Sequence, residues 1–377
     1  MPAAIAATIS MSLSGRRTVA WGRGELPPKR VFVFDPYRFA KPLLHRLDPE
    51  TAHELTLRAL EAGIVPAAAP FDDPVLEVEL FGRRIANPIG LAAGFDKNAR
   101  VFARMYRFGF AFVEVGGVTP LPQAGNARPR VFRLAADGAV INRMGFPNDG
   151  AGAVARRLAA ARPAGLLGIN LAANADSADP AEDMTALVER FAPHADYLAL
   201  DISCPNTVNG QVFLDPARLR DMLARIAARA GNARAPLVAK LSPDIDGARL
   251  AELVEVLLAA RIDGIIVSNT MRARAGLRGA HRTETGGLSG RPLFAPSTAQ
   301  LATVAHMTAG TVPLIGVGGI ASGADAYAKI RAGATTVQLY TALVYEGTAL
   351  VNRIKRELAV LLHRDGFASV GEAARAA

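Results

Sequence analysis

The sequence predicts an α/β protein built as a (β/α)8 barrel with a small N-terminal helical extension. From about Val75 onward, short runs of strand-forming residues alternate with amphipathic helical patterns eight times. Parallel strands need helical crossovers and close on themselves most simply at eight. The residues that end the runs are small, polar or charged, as expected where a barrel carries its site at the C-terminal ends of its strands. A doubly wound sheet is the alternative arrangement of the same units. With 377 residues, half of them hydrophobic, the chain has length for one large barrel or two ordinary domains and apolar content for a sizeable core.

Residues 1–30 are rich in Ala, Ser and Gly and carry Arg16, Arg17, Arg23, Lys29 and Arg30 against one acid, Glu25. They read as a disordered basic tail. The charge follows the apolar part, which excludes a secretory signal; the arginine-rich, acid-poor bias faintly resembles an organellar transit peptide, but a bland extension or a misplaced start codon is the preferred reading. Over residues 31–74 two helix starts follow, Asp35-Pro36 and Asp48-Pro49, each an N-cap aspartate with proline at the first helical position, where its missing N–H costs nothing. The first helix carries Phe39, Leu43, Leu44 and Leu47 beside Arg38, Lys41 and Arg46; the second carries Ala52, Leu55, Ala59 and Leu60 and stops at Gly63. Such a pair lies on a membrane interface or packs on the barrel.

The barrel is expected over residues 75–365, with a C-terminal tail at 366–377. Val75–Leu80 and Arg84–Ile89 flank Phe81-Gly82-Arg83 as a hairpin. The eight strands are expected at Gly90–Ala93, Phe112–Gly116, Leu166–Leu171, Tyr197–Ile202, Leu237–Leu241, Gly264–Ser268, Pro313–Val317 and Thr336–Tyr340. Helical patterns follow, among them Arg218–Ala230, Ala248–Ala260 and Ala324–Ala332, and Arg130–Arg143 reads as an inserted hairpin.

The strand ends carry the chemistry. The first closes in Ala92-Ala93-Gly94-Phe95-Asp96-Lys97, the second in Gly116-Gly117, the third at Asn170 and the fifth at Lys240, a lysine inside an apolar run that needs an anionic partner. The fourth delivers Asp201-Ile202-Ser203-Cys204-Pro205-Asn206-Thr207, whose proline ends the ladder and whose small polar residues suit a turn. Cys204 is the only cysteine, so it forms no intramolecular disulfide. A lone cysteine is more often inert filler than a reactive group. The sixth strand ends in Ser268-Asn269-Thr270. After the seventh come Gly316-Val317-Gly318-Gly319, and the eighth ends in Tyr340 and Thr341. Glycines there let backbone N–H groups approach an anion, and the loops after strands seven and eight are the usual phosphate site of this architecture. No His or Cys cluster has metal-ligand spacing, so no metal is expected. A phosphorylated redox cofactor, flavin mononucleotide (FMN), fits these groups better than hydrolysis does. A formal charge of +9 permits nucleic acid, but the arginines are scattered with no aromatic-interleaved basic block, which favours anionic small molecules and lipid surfaces instead.

Six segments in order, Ala92 to Lys97, Asn142-Arg143-Met144-Gly145-Phe146, Ser203 to Thr207, Ser268-Asn269-Thr270, Gly286-Gly287-Leu288-Ser289-Gly290-Arg291-Pro292-Leu293 and Gly316 to Gly319, resemble dihydroorotate dehydrogenase. With Asp48-Pro49-Glu50-Thr51-Ala52-His53 they resemble its membrane-associated, quinone-dependent class, from about Tyr37 to Arg356. The resemblance implies oxidation of dihydroorotate to orotate in pyrimidine synthesis, with a hydride passing to flavin and a quinone reoxidising it. It implies FMN contacts at Ala92, Ala93, Gly94, Lys97, Asn170, Asp201, Lys240, Ser268, Gly290, Gly318, Gly319, Tyr340 and Thr341. Substrate contacts would be Lys97, Asn142, Arg143, Met144, Gly145, Phe146, Asn206, Asn269 and Thr270, and Cys204 would be the base, its thiolate fraction raised by cationic neighbours. It implies a peripheral protein of the cytoplasmic face of the cell membrane, monomeric, with no nucleic acid partner.

The chain departs from that pattern at four places. The quinone-dependent class typically has serine as base, and cysteine marks the soluble class. Asp201 stands where an asparagine is expected, Gly117 where Thr or Ser is expected, and Asn170-Leu171-Ala172-Ala173-Asn174-Ala175 lacks a glycine and a lysine. A related flavin barrel acting on another cyclic amide or using a soluble acceptor, and a flavin-binding protein without catalysis, are the alternatives these departures keep open.

Overall fold

The computed structural model describes residues 37–67, 69–231 and 235–376. The expected tail at 1–30 and the cap at Asp35 and Pro36 lie outside them. Helix α1 is Tyr37–Leu44 and α2 is Pro49–Glu61. Asp48 caps α2 as its sequence requires, its carboxylate accepting from Glu50 N and Thr51 N at 3.0 and 3.1 Å. The buried face of α2 is Ala52, Leu57 and Leu60, so Leu57 takes the place expected for Leu55, which is 42% exposed. Leu57 and Leu60, three residues apart, share the face packed on the barrel, whereas Leu55, two residues before Leu57, falls on nearly the opposite side of the helix.

Next come β1 (Val78–Leu80) and β2 (Arg83–Ile85), an antiparallel hairpin with Val78 opposite Ile85. Phe81 and Gly82 turn it with φ of +51° and +72°, the left-handed pair that a two-residue hairpin demands. The Phe81 ring lies 5.3 Å from that of Tyr197, at the start of a barrel strand, so the hairpin closes the barrel floor.

The eight expected strands all form: β3 (Ile89–Leu91), β4 (Phe112–Val118), β7 (Leu166–Leu171), β8 (Tyr197–Asp201), β9 (Leu237–Leu241), β10 (Gly264–Val267), β12 (Leu314–Val317) and β13 (Thr336–Leu339). They pair in parallel, in chain order, and β13 closes back on β3. Between β4 and β7 lies a three-stranded antiparallel sheet of β5 (Val131–Leu134) and β6 (Ala139–Asn142), joined by the later β11 (Gly287–Gly290). Its own apolar cluster of Phe132, Leu134, Ile141, Met271 and Leu288 is separate from the barrel core. Helices α3 (Phe102–Met105), α4 (Gly150–Ala159), α5 (Pro180–Phe191), α6 (Pro216–Ala230), α7 (Gly247–Ala259), α8 (Phe294–Thr308), α9 (Gly323–Arg331), α10 (Thr341–Glu346) and α11 (Leu350–Arg364) follow the strands. Beyond Gly366 the chain forms α12 (Val370–Arg375), held by buried Val370 and Ala373. Among the described residues no helix is long and apolar enough to cross a membrane.

Every residue of the eight barrel strands is buried. Such strands read as continuous apolar runs, so a polar residue within one is conspicuous. Two barrel glycines make room for rings: a Cβ at Gly90 would lie 2.3 Å from the Phe112 ring, and one at Gly168 2.1 Å from that of Tyr197.

Candidate active site

The loop after β3 is pinned across the mouth to the end of β4, Gly94 N donating to Gly116 O at 2.8 Å and Gly116 N to Asp96 O at 3.1 Å. Both glycines have positive φ, and a Cβ at Gly116 would collide with Asn170 O at 2.3 Å. Ala92 N is tied to Leu339 O, so Ala92, Ala93 and Gly94 line the seam between β13 and β4. Lys97 turns back into the mouth and donates to Gly94 O at 2.6 Å; loss of hydration draws its pKa down to about 8, against the attraction of Glu50 and Asp96.

Beneath the mouth lies a polar network that the sequence reading did not single out. Glu114 on β4 accepts from Tyr197 Oη and Gln338 Nε2, both at 2.9 Å, and from Asn170 Nδ2 at 3.2 Å. Its other neighbour is Lys240, whose Nζ lies 3.8 Å from Glu114 Oε1: this is the anion that a lysine inside an apolar strand requires. The signal was present as a carboxylate in the run Phe112-Val113-Glu114-Val115, but only the closed barrel shows which lysine faces it. Asn170 Oδ1 and Gln338 Oε1 remain buried without a hydrogen-bond partner among the described residues. Orphaned acceptors beside a cation suit a planar group that both donates and accepts along one edge, which is the fit expected of a flavin ring.

Cys204 sits one short loop past β8 and is 6% exposed. Burial, followed by the nearby Asp201 carboxylate, pushes its thiol well above the ordinary range, while Lys240 acts weakly in the other direction. The expectation that cationic neighbours raise its thiolate fraction is thus corrected: desolvation dominates, because the sulfur is enclosed and the nearest strong charge is negative. Asp201 lies beside Lys240 in the β8–β9 register, and burial raises its pKa to about 6 against the pull of Lys240 and of the Ser203 N–H and Asn269 hydrogen bonds. Asn269 Nδ2 donates to Asp201 Oδ1 at 3.1 Å, and Asn269 Oδ1 accepts from Thr270 N at 2.8 Å, which fixes the amide's orientation.

The loops after strands seven and eight, where an anion cradle is expected, pack against the segment that runs from β11 into α8. Gly318 and Gly319 have φ of +109° and +75°. A Cβ at Gly319 would fall 2.4 Å from Phe294 Cβ, which brings this loop against the start of α8, four residues after Gly290. Thr341 Oγ1 donates to Ser289 Oγ at 2.8 Å, drawing the end of β13 to β11. Ser268 N donates to Val317 O at 3.2 Å, placing it between strands six and seven. Tyr340 packs edge-on to Phe95 at 5.6 Å, and His53 of α2 reaches both rings, 5.4 Å from Phe95 and 6.4 Å from Tyr340. Burial and Lys97 hold that imidazole neutral, its pKa down at about 3.

Asn142 ends β6 opposite both Val131 and Gly287, and Met144 to Phe146 lead away from it. Arg143 is otherwise engaged: it pairs with Glu284 at 2.8 Å and lies over the Phe132 ring at 4.6 Å. Its backbone is engaged as well, N donating to Arg130 O and O accepting from Asn126 Nδ2, both at 2.9 Å, so Arg143 serves the loop and the expected substrate contact at this residue is not available as it stands. Met144 O accepts from Asn126 N, Gly145 O from Gln123 Nε2, and Asn206 O from Asn126 Nδ2, so Asn126 ties the Asn142–Phe146 segment to the Cys204 loop. The Phe146 ring occupies the space a side chain at Gly117 would take, 2.7 Å from an added Cβ. Among the described residues no three His, Cys, Asp or Glu side chains group to hold a metal.

The sequence profile of dihydroorotate dehydrogenase matches residues 75–362. The chain is 51% identical over 349 residues to the dihydroorotate dehydrogenase (quinone) of Cereibacter sphaeroides, covering 89% of this chain and 96% of that one. It is 52% identical over 344 residues to the protein of the same name from Rhodospirillum rubrum, covering 90% and 94%. The crystal structure of ligand-free DHODH from Eimeria tenella superposes with a TM-score of 0.84 at 37% identity, over 87% of this chain and 99% of that one. A barrel with this mouth, matched over nearly its whole length by relatives half identical to it, belongs to the dihydroorotate dehydrogenase family.

Proposed function

We propose that the protein binds FMN and oxidises dihydroorotate to orotate for pyrimidine biosynthesis, with a quinone as electron acceptor, at the cytoplasmic face of the cell membrane. The observation that carries the reading is the orphaned Asn170 Oδ1 beside the Glu114–Lys240 pair, a buried acceptor and a buried cation with unused capacity under the mouth. Lys240, Asn170, Ser268 and the Ala92–Gly94 loop would hold the ring, and Gly290, Gly318, Gly319, Tyr340 and Thr341 the phosphate. When bound, FMN supplies the two-electron acceptor. Lys97, Asn142, Asn206, Asn269 and Thr270 would orient the substrate, amides and an ammonium matching a ring of amide groups and its carboxylate. Cys204 would take the proton from the substrate carbon as a thiolate, so its own proton must leave first; burial and the Asp201 carboxylate both oppose that loss, and it is eased when Asp201 carries its own proton.

The helical pair supports the quinone as acceptor. Phe39 and Leu43 of α1 are 75% and 64% exposed, Ile64 just past α2 is 73% exposed, and His53 of α2 packs against Phe95 and Tyr340 at the mouth. Exposed apolar side chains on helices that also touch the mouth support a lipid-soluble acceptor. One observation favours a second reading: an ionised Asp201 only accepts, which suits a cyclic amide that presents a donor there. Anaerobic addition of dihydroorotate to the FMN-loaded protein decides between them. Bleaching of the flavin band is expected, and a band that persists with dihydroorotate but bleaches with another cyclic amide reassigns the substrate.

A further inference from the structure

Among the described residues three lysines are buried, and two have a carboxylate: Lys240 has Glu114, and Lys355 has Asp72 at 3.2 Å. The third, Lys329 on α9, is wholly buried and meets only hydroxyls, Ser297 Oγ at 2.8 Å and Thr298 Oγ1 at 3.1 Å. Among the described residues no carboxylate lies within ion-pair distance of it. An ammonium taken out of water costs several kcal/mol unless an anion answers it. Ser297, which takes its shortest hydrogen bond, lies 3.4 Å from Gly318 O, and a Cβ at Gly318 would fall 2.8 Å from Ser297 Oγ. The ammonium is also 5.4 Å from the ring of Phe294, the residue packed against Gly319. The unanswered cation thus lies directly behind the loop where the site gathers its anion-binding backbone.

We propose that Lys329 is the buried counter-charge of a phosphate monoester held by the loops after β12 and β13, which makes the protein select a phosphorylated flavin over its unphosphorylated parent; this rests on the FMN reading above. The groups that face Lys329 are few. Ser297, Thr298 and Phe294 come from α8, and Gly316 approaches its stem from β12. Asp325 on α9 acts at longer range and is turned to Ala321 N at 2.9 Å, while Glu357 of α11 is taken by Gly323 N at 2.6 Å. Without an anion, loss of hydration outweighs Asp325 and draws the lysine down to about 7. A dianion close by reverses this, so binding the phosphate recharges the ammonium and takes up a proton.

The test uses the full-length apoprotein with FMN and riboflavin, which differ only by the phosphate. Calorimetry at pH 8 in buffers of different ionisation enthalpy should show proton uptake with FMN and none with riboflavin, since the free phosphate, with a second pKa near ~6, is already fully ionised there. Lys97, which also titrates near this pH, faces both ligands alike and cancels in the comparison. Lys329→Met should weaken FMN roughly 10- to 100-fold, the reach of one charge acting across a protein interior, and leave riboflavin unchanged. Its apoprotein should melt no lower than the natural one, because an uncompensated charge has been removed. Lys329→Arg, which keeps the charge, should retain the preference for FMN and serves if the methionine variant does not fold. Equal loss of both flavins, an unchanged FMN affinity, or no proton uptake at pH 8 overturns the assignment. A natural protein that binds neither flavin overturns the cofactor reading first, and this inference with it.

Discussion

The amide of Asn269 donates to Asp201 Oδ1 at 3.1 Å while its own oxygen accepts from Thr270 N at 2.8 Å, so the carboxylate of β8 sets which face the strand-six asparagine shows the site. Because burial lifts Asp201 to about 6, its charge is decided near neutral pH. The pair is thus a place where the medium can change the chemistry of the mouth.

Substrate affinity should weaken as pH rises through about 6, since the neutral acid can donate and the carboxylate would repel an anionic substrate. Asp201→Asn should tighten binding above that pH and flatten the profile. Stability gives a second reading. With the folded pKa raised above the 3.8 of a free aspartate, the folded state holds the proton more tightly between the two values, and stability is lost as pH rises through the folded pKa. The asparagine variant should therefore gain up to roughly 2–3 kcal/mol at pH 7 over the natural protein, and almost none at pH 4. Denaturant melts at the two pH values measure this, and an equal gain at both would separate the effect from the ionisation of Asp201.

Cys204 should react slowly with iodoacetamide at pH 8, because burial and Asp201 keep it a thiol. Removing one of those causes in Asp201→Asn should speed the labelling. As general base it should be needed for the proton step, so Cys204→Ala is expected to slow anaerobic flavin reduction roughly 10²–10⁴-fold while FMN still binds. Normal reduction kinetics in that variant would return the cysteine to filler.

Glu114→Gln should be costly. The amide brings two donors into a position where Tyr197, Gln338 and Asn170 already donate, and it leaves Lys240 without its anion. A loss of about 3–5 kcal/mol in chemical denaturation is expected, the usual result of leaving one partner of a buried pair alone. Glu114→Gln combined with Lys240→Met should recover part of it, and a double variant no more stable than the single one would show that the two side chains are not coupled.

Phe39→Glu with Leu43→Glu should abolish flotation with lipid vesicles and slow turnover of long-chain quinones. Both side chains are largely exposed, so the folded state should change by no more than about 0.5 kcal/mol. Reduction of the flavin by dihydroorotate should be untouched. Quinone turnover that survives both substitutions would point to a soluble acceptor.

The sequence by itself determined the barrel, because eight apolar runs ending in polar residues state their own period and burial. It also placed the strand-end residues, since the C-terminal end of each run is a local property of the chain. The cap at Asp48, the hairpin at Phe81 and Gly82, and the Cys204 loop were legible for the same reason. Only the tertiary structure decided what those residues meet. Glu114 and Lys240 are far apart in the chain, and their pairing depends on how the barrel closes. The basicity of Cys204 was misjudged from sequence because local composition shows nearby residue types but not enclosure, and desolvation outweighs a single distant cation. Lys329 carried no signal at all in Tyr327-Ala328-Lys329-Ile330, an ordinary helical stretch; that its ammonium is sealed among hydroxyls behind the Gly318 loop follows from the packing of α9 on α8. Charge and register are written in the chain, but the dielectric around a charge is made by the fold.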